Sequence, residues 1–381
     1  MARQNPSPGS HASLRSANQR RVLDVLRAST TDHTQAELAR VTGLAPATVS
    51  NIVRDLTAAD LVEAEAGSGR RGSSVRLSRK AGLVAGVDFG HSHIAVAIGT
   101  LTGEILAEAR ERLESTHAYD DSLKLAARLI RELAPDDAPV MRAAMGIPAP
   151  MTENVVQGPG ILPGWNGADS RAQAEKIFGL PVDVENDANL GALAEHRRGV
   201  AHGFHSSVFV KISSGVGAGI MLDDQLFHGA SGTAGELGHL TLDAAGPICR
   251  CGGRGCLEAY TSINTVLART AGQLPAATLD DVIEAAEAGE ASARRALEDA
   301  GMHLGWGLAS VANLINPEIM VIGGDMARAG ELLLESARIG LRRHALDNVA
   351  QTPVRTSDLG HRASLLGAVL LAAEQTELTL P

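Results

Sequence analysis

All three cysteines of this 381-residue chain fall inside eight residues: Cys249, Cys251 and Cys256, in the stretch CRCGGRGC. A disulfide within Cys-x-Cys is strained, and an odd thiol count leaves one sulfur over. A metal suits the spacing better. Zinc takes four nitrogen or sulfur ligands in a closed structural site. His239, in GELGHLTL, is the nearest fourth ligand. Buried or reactive thiols are the competing reading. Glu236 and Glu258 flank the cluster. Carboxylates fixed to a rigid metal loop can accept several hydroxyl hydrogen bonds, as a sugar demands. Equally, they could be solvated or brace the loop. In the sugar reading His239 serves twice, with one ring nitrogen on zinc and the other donating to a hydroxyl. Such a zinc shapes a pocket and activates no water.

Further upstream, VDVENDANLGALAEHRRG puts Asn186 and Asp187 between a strand and a helix. A carboxylate there is placed to act as general base on a substrate hydroxyl. Either residue could instead simply cap the helix. Two glycine-bearing turns accompany the pair: DFG, with Asp88 and Gly90, and SSGVGAG, with Ser213, Gly215 and Gly217. Glycines at such turns let backbone amides approach a phosphate. Amides, a carboxylate base and a divalent metal are the parts of a phosphoryl-transfer site. Each turn alone also fits an ordinary hairpin.

These residues need a scaffold. GLVAGVDFGHSHIAVAIGTLTGEILAEARERL reads as three strands separated by a Gly turn and a TG turn. The helix YDDSLKLAARLIRELA and the strand VMRAAMGIP follow. SSVFVKISSGVGAGIMLDDQLFHG repeats the plan of strand, Gly-rich turn, strand, tight turn and strand. The doubling predicts a two-lobed α/β body with a duplicated core. Helical periodicity dominates residues 278–315.

The first eighty residues follow a different plan. Val22, Leu23, Val25 and Leu26 share one helical face. Thr34 and Glu37 form a capping-box pattern at the head of QAELARVTG, which Gly43 ends. Pro46 opens a further helix. Two helices around a short Gly-containing turn are a helix-turn-helix. Val49, Ile52, Val53 and Leu56 should face its core. Pro46, Ala47, Thr48, Ser50, Asn51 and Arg54 should face outward, where a recognition helix meets DNA. LVEAEAG-SGRRG-SSVRLS then reads as a two-stranded wing with Arg70 and Arg71 at its tip, placed for phosphate or the minor groove. A helical hairpin in a protein–protein module is the alternative. Ala45, at the N-cap, offers no capping side chain.

The formal net charge of −10 is divided unevenly. Residues 1–80 carry 12 Lys+Arg and 7 Asp+Glu, and the remainder 22 and 37. A basic head on an acidic body directs nucleic acid to the head. No apolar run reaches the roughly 18 residues needed to span a membrane. The first residues lack the apolar core of a secretory signal, so the reading is a cytoplasmic protein without a membrane partner. Aromatics make up only 2% of the chain, so its cores are aliphatic.

GELGH with CRCGGRGCLE, supported in order by DFG, ENDAN, SSGVGAG and INPEIMVIGGDM, resembles the ROK family of sugar-responsive repressors and sugar kinases. The resemblance spans nearly the whole chain after the N-terminal arm. It implies an actin/hexokinase-like (ribonuclease H-like) two-lobed fold. The expected layout is a disordered arm over 1–17, a winged helix-turn-helix over 18–80 and a ROK domain over 81–381. Its small lobe would run from about 81 to 200 and include the C-terminal helix; its large lobe would cover about 201–363. By the same resemblance Asn186, Asp187, Glu236, His239 and Glu258 hold a sugar or sugar phosphate, and His239, Cys249, Cys251 and Cys256 hold structural zinc. Asp187 would be the base in a kinase member, an ATP-dependent hexose or N-acetylhexosamine kinase. Gly323 and Gly324 would lie near the nucleotide base if Mg-ATP binds. The winged helix resembles the repressor branch and implies operator DNA bound by a homodimer or homotetramer. Three positions depart from the kinase pattern: His91 in the first phosphate turn, Ala149 in GIPAP and Ile161 in GILPGW. They point away from ATP use and toward a sensor.

Overall fold

The computed structural model describes residues 11–29, 31–65, 74–113, 119–152, 154–157, 164–167 and 169–378. The N-terminal unit contains α1 (His11–Ala28), β1 (His33–Thr34), α2 (Gln35–Thr42), α3 (Pro46–Ala58), β2 (Val62–Glu65) and β3 (Ser74–Leu77). The capping box at α2 is formed: the Thr34 hydroxyl accepts from the Glu37 amide, and the Glu37 carboxylate accepts from the Thr34 amide at 2.8 Å. Gly43 closes that helix at φ 67°, a left-handed conformation that glycine adopts without strain. Val49, Ile52, Val53 and Leu56 are buried, with Val22, Leu23, Leu26 and Leu38, in one aliphatic core. β2 and β3 pair antiparallel, and β1 adds a short third strand beside β3.

One sequence expectation changes here. Residues 11–17, expected in a disordered arm, begin α1. Their apolar period is weak, but Arg15 donates to Asp55 on α3 at 2.6 Å and fastens the added turns. The wing tip, with Arg70 and Arg71, lies outside the described residues.

The body repeats one sheet plan. Its first half holds β4 (Leu83–Phe89), β5 (His93–Thr100), β6 (Ile105–Arg112), α4 (Tyr119–Leu133) and β7 (Val140–Ile147). It continues through the short pair β8 (Met151–Thr152) and β9 (Val155–Val156) to α5 (Ser170–Phe178), β10 (Val182–Asn186) and α6 (Asp187–Arg198). The second half holds β11 (Ser207–Ile212), β12 (Val216–Leu222) and β13 (Gln225–Leu226). Four helices follow: α7 (Glu258–Thr261), α8 (Ile263–Thr270), α9 (Leu279–Glu287) and α10 (Ala291–Ile315). The chain ends with β14 (Ile319–Gly323), α11 (Glu331–His344), β15 (Val354–Thr356) and α12 (Ala363–Gln375). One sheet has the order β10-β7-β4-β5-β6, the other β15-β14-β11-β12-β13. In each, the first three strands of the half are an antiparallel meander, and the next two join in parallel.

α6 and α12 fill the space between the sheets. α12 packs on β4 and β7, α6 on β11 and β12, and the two helices pack on each other. Gly367 permits that last approach, because a Cβ there would strike the Leu190 carbonyl. Leu190, Leu365 and Val369 are buried along the seam, each contributing about 1.5–3 kcal/mol. The far end of α12 reaches the head. Arg27 of α1 donates to the Glu374 carbonyl at 3.0 Å and to the Thr376 carbonyl at 2.7 Å. Leu378 packs against the head's core. No helix among the described residues is long and apolar enough to cross a membrane.

Candidate functional site

The cysteine stretch folds back on itself beside the segment that carries His239, a single 3-10 turn over Leu237–His239. Bridges link Ile248 to Arg254 and Thr241 to Cys256. Gly252 and Gly255 take φ of 89° and 62°, left-handed values that turn the loop without strain. The three cysteines are free thiols. One ligand atom from each of His239, Cys249, Cys251 and Cys256 lies within 4.8 Å of all the others. His239 Nδ1 stands 3.8 Å from Cys249 Sγ, and Cys251 Sγ 3.8 Å from Cys256 Sγ. Zinc–sulfur bonds of about 2.3 Å in a tetrahedron set sulfurs roughly 3.8 Å apart. The donor set and its spacing therefore fit zinc. Burial pushes the Cys249 thiol up to about 12, the environment in which a bound cation is needed to draw off the proton.

The other ring nitrogen of His239 turns the opposite way, 3.9 Å from a Glu236 carboxylate oxygen. Burial raises the Glu236 carboxyl above the ordinary range, opposed by His239 and reinforced by Asp187 and Glu258. Glu258, 5% exposed, begins α7. It accepts from the Val216 amide at 3.0 Å and from Arg250 Nη2 at 2.7 Å. Asn186 is both cap and lining: its Oδ1 accepts from the Ala188 amide at 2.8 Å, and its Nδ2 donates to the Ala149 carbonyl at 3.2 Å. Asn186, Asp187, Glu236, His239 and Glu258 thus line one cleft, together with Arg250. Gly215 and Gly217 open onto this same cleft.

A second cavity adjoins it and shares Asp187, Lys211 and Ser213. Asp88, Gly90 and Gly324 line it, with Arg110 and His361. Gly323 sits behind it, against the Phe209 ring. His91 is exposed near the rim, and His93 is the side chain that meets Asp88, at 3.2 Å. Ile161 lies outside the described residues. Asp187, the candidate base, is held by Lys211 Nζ at 2.7 Å. Burial pushes the Asp187 carboxyl upward while Lys211 pulls the other way, and so short a contact is that of an ammonium–carboxylate pair. Burial also works against the Lys211 ammonium, yet Asp187 and Asp88 together hold its pKa above the usual lysine value. For Asp88, burial is outweighed by Lys211 and His93, which keep its carboxyl below the usual range.

Lys211 and Arg250 were not among the residues singled out from the sequence. The only signal for Lys211 is a lone charge in the apolar strand VFVKI; Arg250 stands at the unspecified place between two cysteines.

On the head, Pro46, Ala47, Ser50, Asn51 and Arg54 are exposed along α3 and Thr48 is half-buried. The N-cap Ala45 makes no side-chain bond.

Residues 84–375 match the ROK family and residues 15–72 the MarR family. A xylose repressor of Bacillus spizizenii is 28% identical over 350 residues, covering 89% of this chain and 91% of that protein. A crystal structure of a ROK family transcriptional regulator, described as a homologue of the Escherichia coli Mlc protein, superposes with a TM-score of 0.78 at 27% identity. It covers 94% of this chain and 96% of its own. A ROK family glucokinase from Streptomyces griseus, in complex with glucose and AMPPNP, gives a TM-score of 0.69 at 28% identity, over 77% of this chain and 100% of its own. A duplicated sheet plan, a Cys3His loop beside a carboxylate-lined cleft and a winged helix ahead of both agree with those matches: the chain belongs to the ROK family and carries a MarR-type winged helix at its N-terminus.

Proposed function

We propose that this protein is a sugar-responsive, DNA-binding transcriptional regulator, a repressor of carbohydrate-metabolism genes. One observation carries the reading: a single chain joins an exposed recognition-helix face to a cleft whose acceptors suit a polyhydroxyl ligand. Asn186, Glu236, His239 and Glu258 would bind the sugar hydroxyls, with Asp187 at the deep end. His239, Cys249, Cys251 and Cys256 would hold zinc, which when bound locks the loop that carries Glu258. The head would read operator DNA through α3, in an assembly of two or more copies whose heads match a palindromic site. The names of the relatives, xylose repressor and ROK family transcriptional regulator, support this reading.

A kinase reading has Asp187 as its base. It is disfavoured by the Lys211 contact at 2.7 Å, which holds the carboxylate that must take the proton. The deciding experiment titrates operator fragments in the presence of hexoses, pentoses and N-acetylhexosamines, and in parallel follows ADP release from Mg-ATP with the same sugars. Sugar-shifted operator affinity without turnover is expected. Turnover that vanishes in Asp187→Asn would replace the sensor by a kinase with a DNA-binding head.

The Arg54 side chain is 72% exposed on α3. Arg54→Ala should weaken operator binding by about tenfold or more, as loss of a base or phosphate contact does, and leave sugar affinity unchanged. Unaltered operator affinity in a gel-shift titration would take Arg54 out of the interface.

A further inference from the structure

β11 carries one charge: SVFVKI opens on the buried Ser207 and is otherwise apolar and buried but for its fifth position, Lys211. Taking an ammonium out of water costs several kcal/mol unless it is paired and hydrogen-bonded. Lys211 is both. Its Nζ donates to Asp187 Oδ2 at 2.7 Å and to Ser364 Oγ at 3.0 Å. Ser364 gives its own proton to the Asp187 carbonyl at 2.9 Å, which leaves its oxygen free to accept the lysine. A second carboxylate, Asp88, lines the same cavity as Lys211 and Asp187, and its Oδ2 is met by His93 Nε2 at 3.2 Å. Asp88 is 2% exposed, and its Oδ1 has no hydrogen-bond partner.

Three elements meet at this point. Asp88 is the last residue but one of β4 in one sheet, Lys211 comes from β11 in the other, and Asp187 opens α6 between them. Lys211 faces both cavities. A phosphoryl-transfer site places a divalent ion among carboxylates and phosphates, bound through one or two carboxylates. Here two buried carboxylates converge on an ammonium that is part of the chain.

We propose that Lys211 is the resident cation of the cleft, a specificity-determining residue that pairs with Asp187 in the cavity lined by the buried Asp88, in place of a divalent metal ion. The cleft is thereby committed to neutral polyhydroxyl ligands and closed to metal–nucleotide complexes. The choice of ligand class rests on the sugar-binding reading above; the exclusion of a divalent ion does not. Removing the ammonium leaves Asp187 without its ion-pair partner and Asp88 with the His93 contact at 3.2 Å alone, and a divalent ion is what two such buried carboxylates recruit.

The test uses the full-length, zinc-loaded protein and Mn²⁺, with free Mn²⁺ followed by electron paramagnetic resonance. Lys211→Met should bind one Mn²⁺ about tenfold or more tighter than wild type. The double variant Lys211→Met, Asp88→Asn should lose that gain. Equal Mn²⁺ binding by wild type and Lys211→Met, or a gain that survives Asp88→Asn, overturns the proposal. If Lys211→Met does not fold alone, millimolar Mg²⁺ should restore its melting transition, and failure of that rescue overturns the proposal as well. Sugar titration of the wild type is run separately. No sugar binding there sinks the sugar reading and leaves the Mn²⁺ result to stand by itself.

Discussion

Glu258→Ala should abolish the sugar response and leave operator affinity intact. The carboxylate is buried, and its Oε2 accepts from the Val216 amide at 3.0 Å and from Arg250 at 2.7 Å. Its removal takes away a charged acceptor for ligand hydroxyls. It also leaves the Val216 N–H and the Arg250 guanidinium without their partner. Losing charge-assisted bonds of about 1.5–3 kcal/mol each predicts a fall in sugar affinity of about 10- to 100-fold or more. The head is a separate aliphatic core around Val22, Leu38 and Leu56, so DNA binding should be unaffected. The measurement is sugar affinity by calorimetry beside operator affinity by fluorescence anisotropy. Parallel loss of both would mean that Glu258 supports the fold and has no particular part in sugar recognition.

Loss of the metal should have a larger effect. Cys256 is 2% exposed, with its sulfur 3.8 Å from that of Cys251. Structural zinc contributes on the order of 10 kcal/mol of binding energy to the fold around it. Cys256→Ser, or exhaustive chelation, should release the ion and unfasten the loop between Thr241 and Glu258. His239 and Glu258 then lose their fixed positions, and sugar binding falls beyond detection. Metal content by mass spectrometry, melting temperature and sugar titration follow the three consequences. Protein that is purified free of zinc and still binds sugar at full affinity would remove the ion from the site.

Much of this layout is written in local sequence. Thr34 and Glu37 specify a helix start within four residues, and the capping box forms as read. The doubled strand plan is legible because each meander closes with tight turns, at TG and at DD, between strands that alternate or run apolar. The Cys3His cluster is legible because its four members lie within eighteen residues of the chain. What stays hidden depends on partners far apart in sequence. Lys211 meets Asp187 and Ser364, 24 and 153 residues away, and no local pattern announces such a contact. The first turns of α1 meet Asp55 through Arg15, 40 residues apart. β1 has only two residues and exists because β3 offers it an edge.

The helix α12 touches both ends of the molecule's business. Ser364, in its first turn, bonds to Lys211 and to the Asp187 carbonyl; Glu374 and Thr376, at its end, are gripped by Arg27. Thirteen helical residues make a rod of about 20 Å, and a rod transmits tilt without storing it. If sugar closes the cleft, one end of α12 moves with it, and the head rides on the other. Equilibrium coupling of this kind runs both ways: by whatever factor sugar loosens the operator, the operator loosens sugar. A cell rich in vacant operators would then need more sugar to reach the same fraction of filled clefts, so the number of binding sites on the chromosome becomes part of the sensor's calibration.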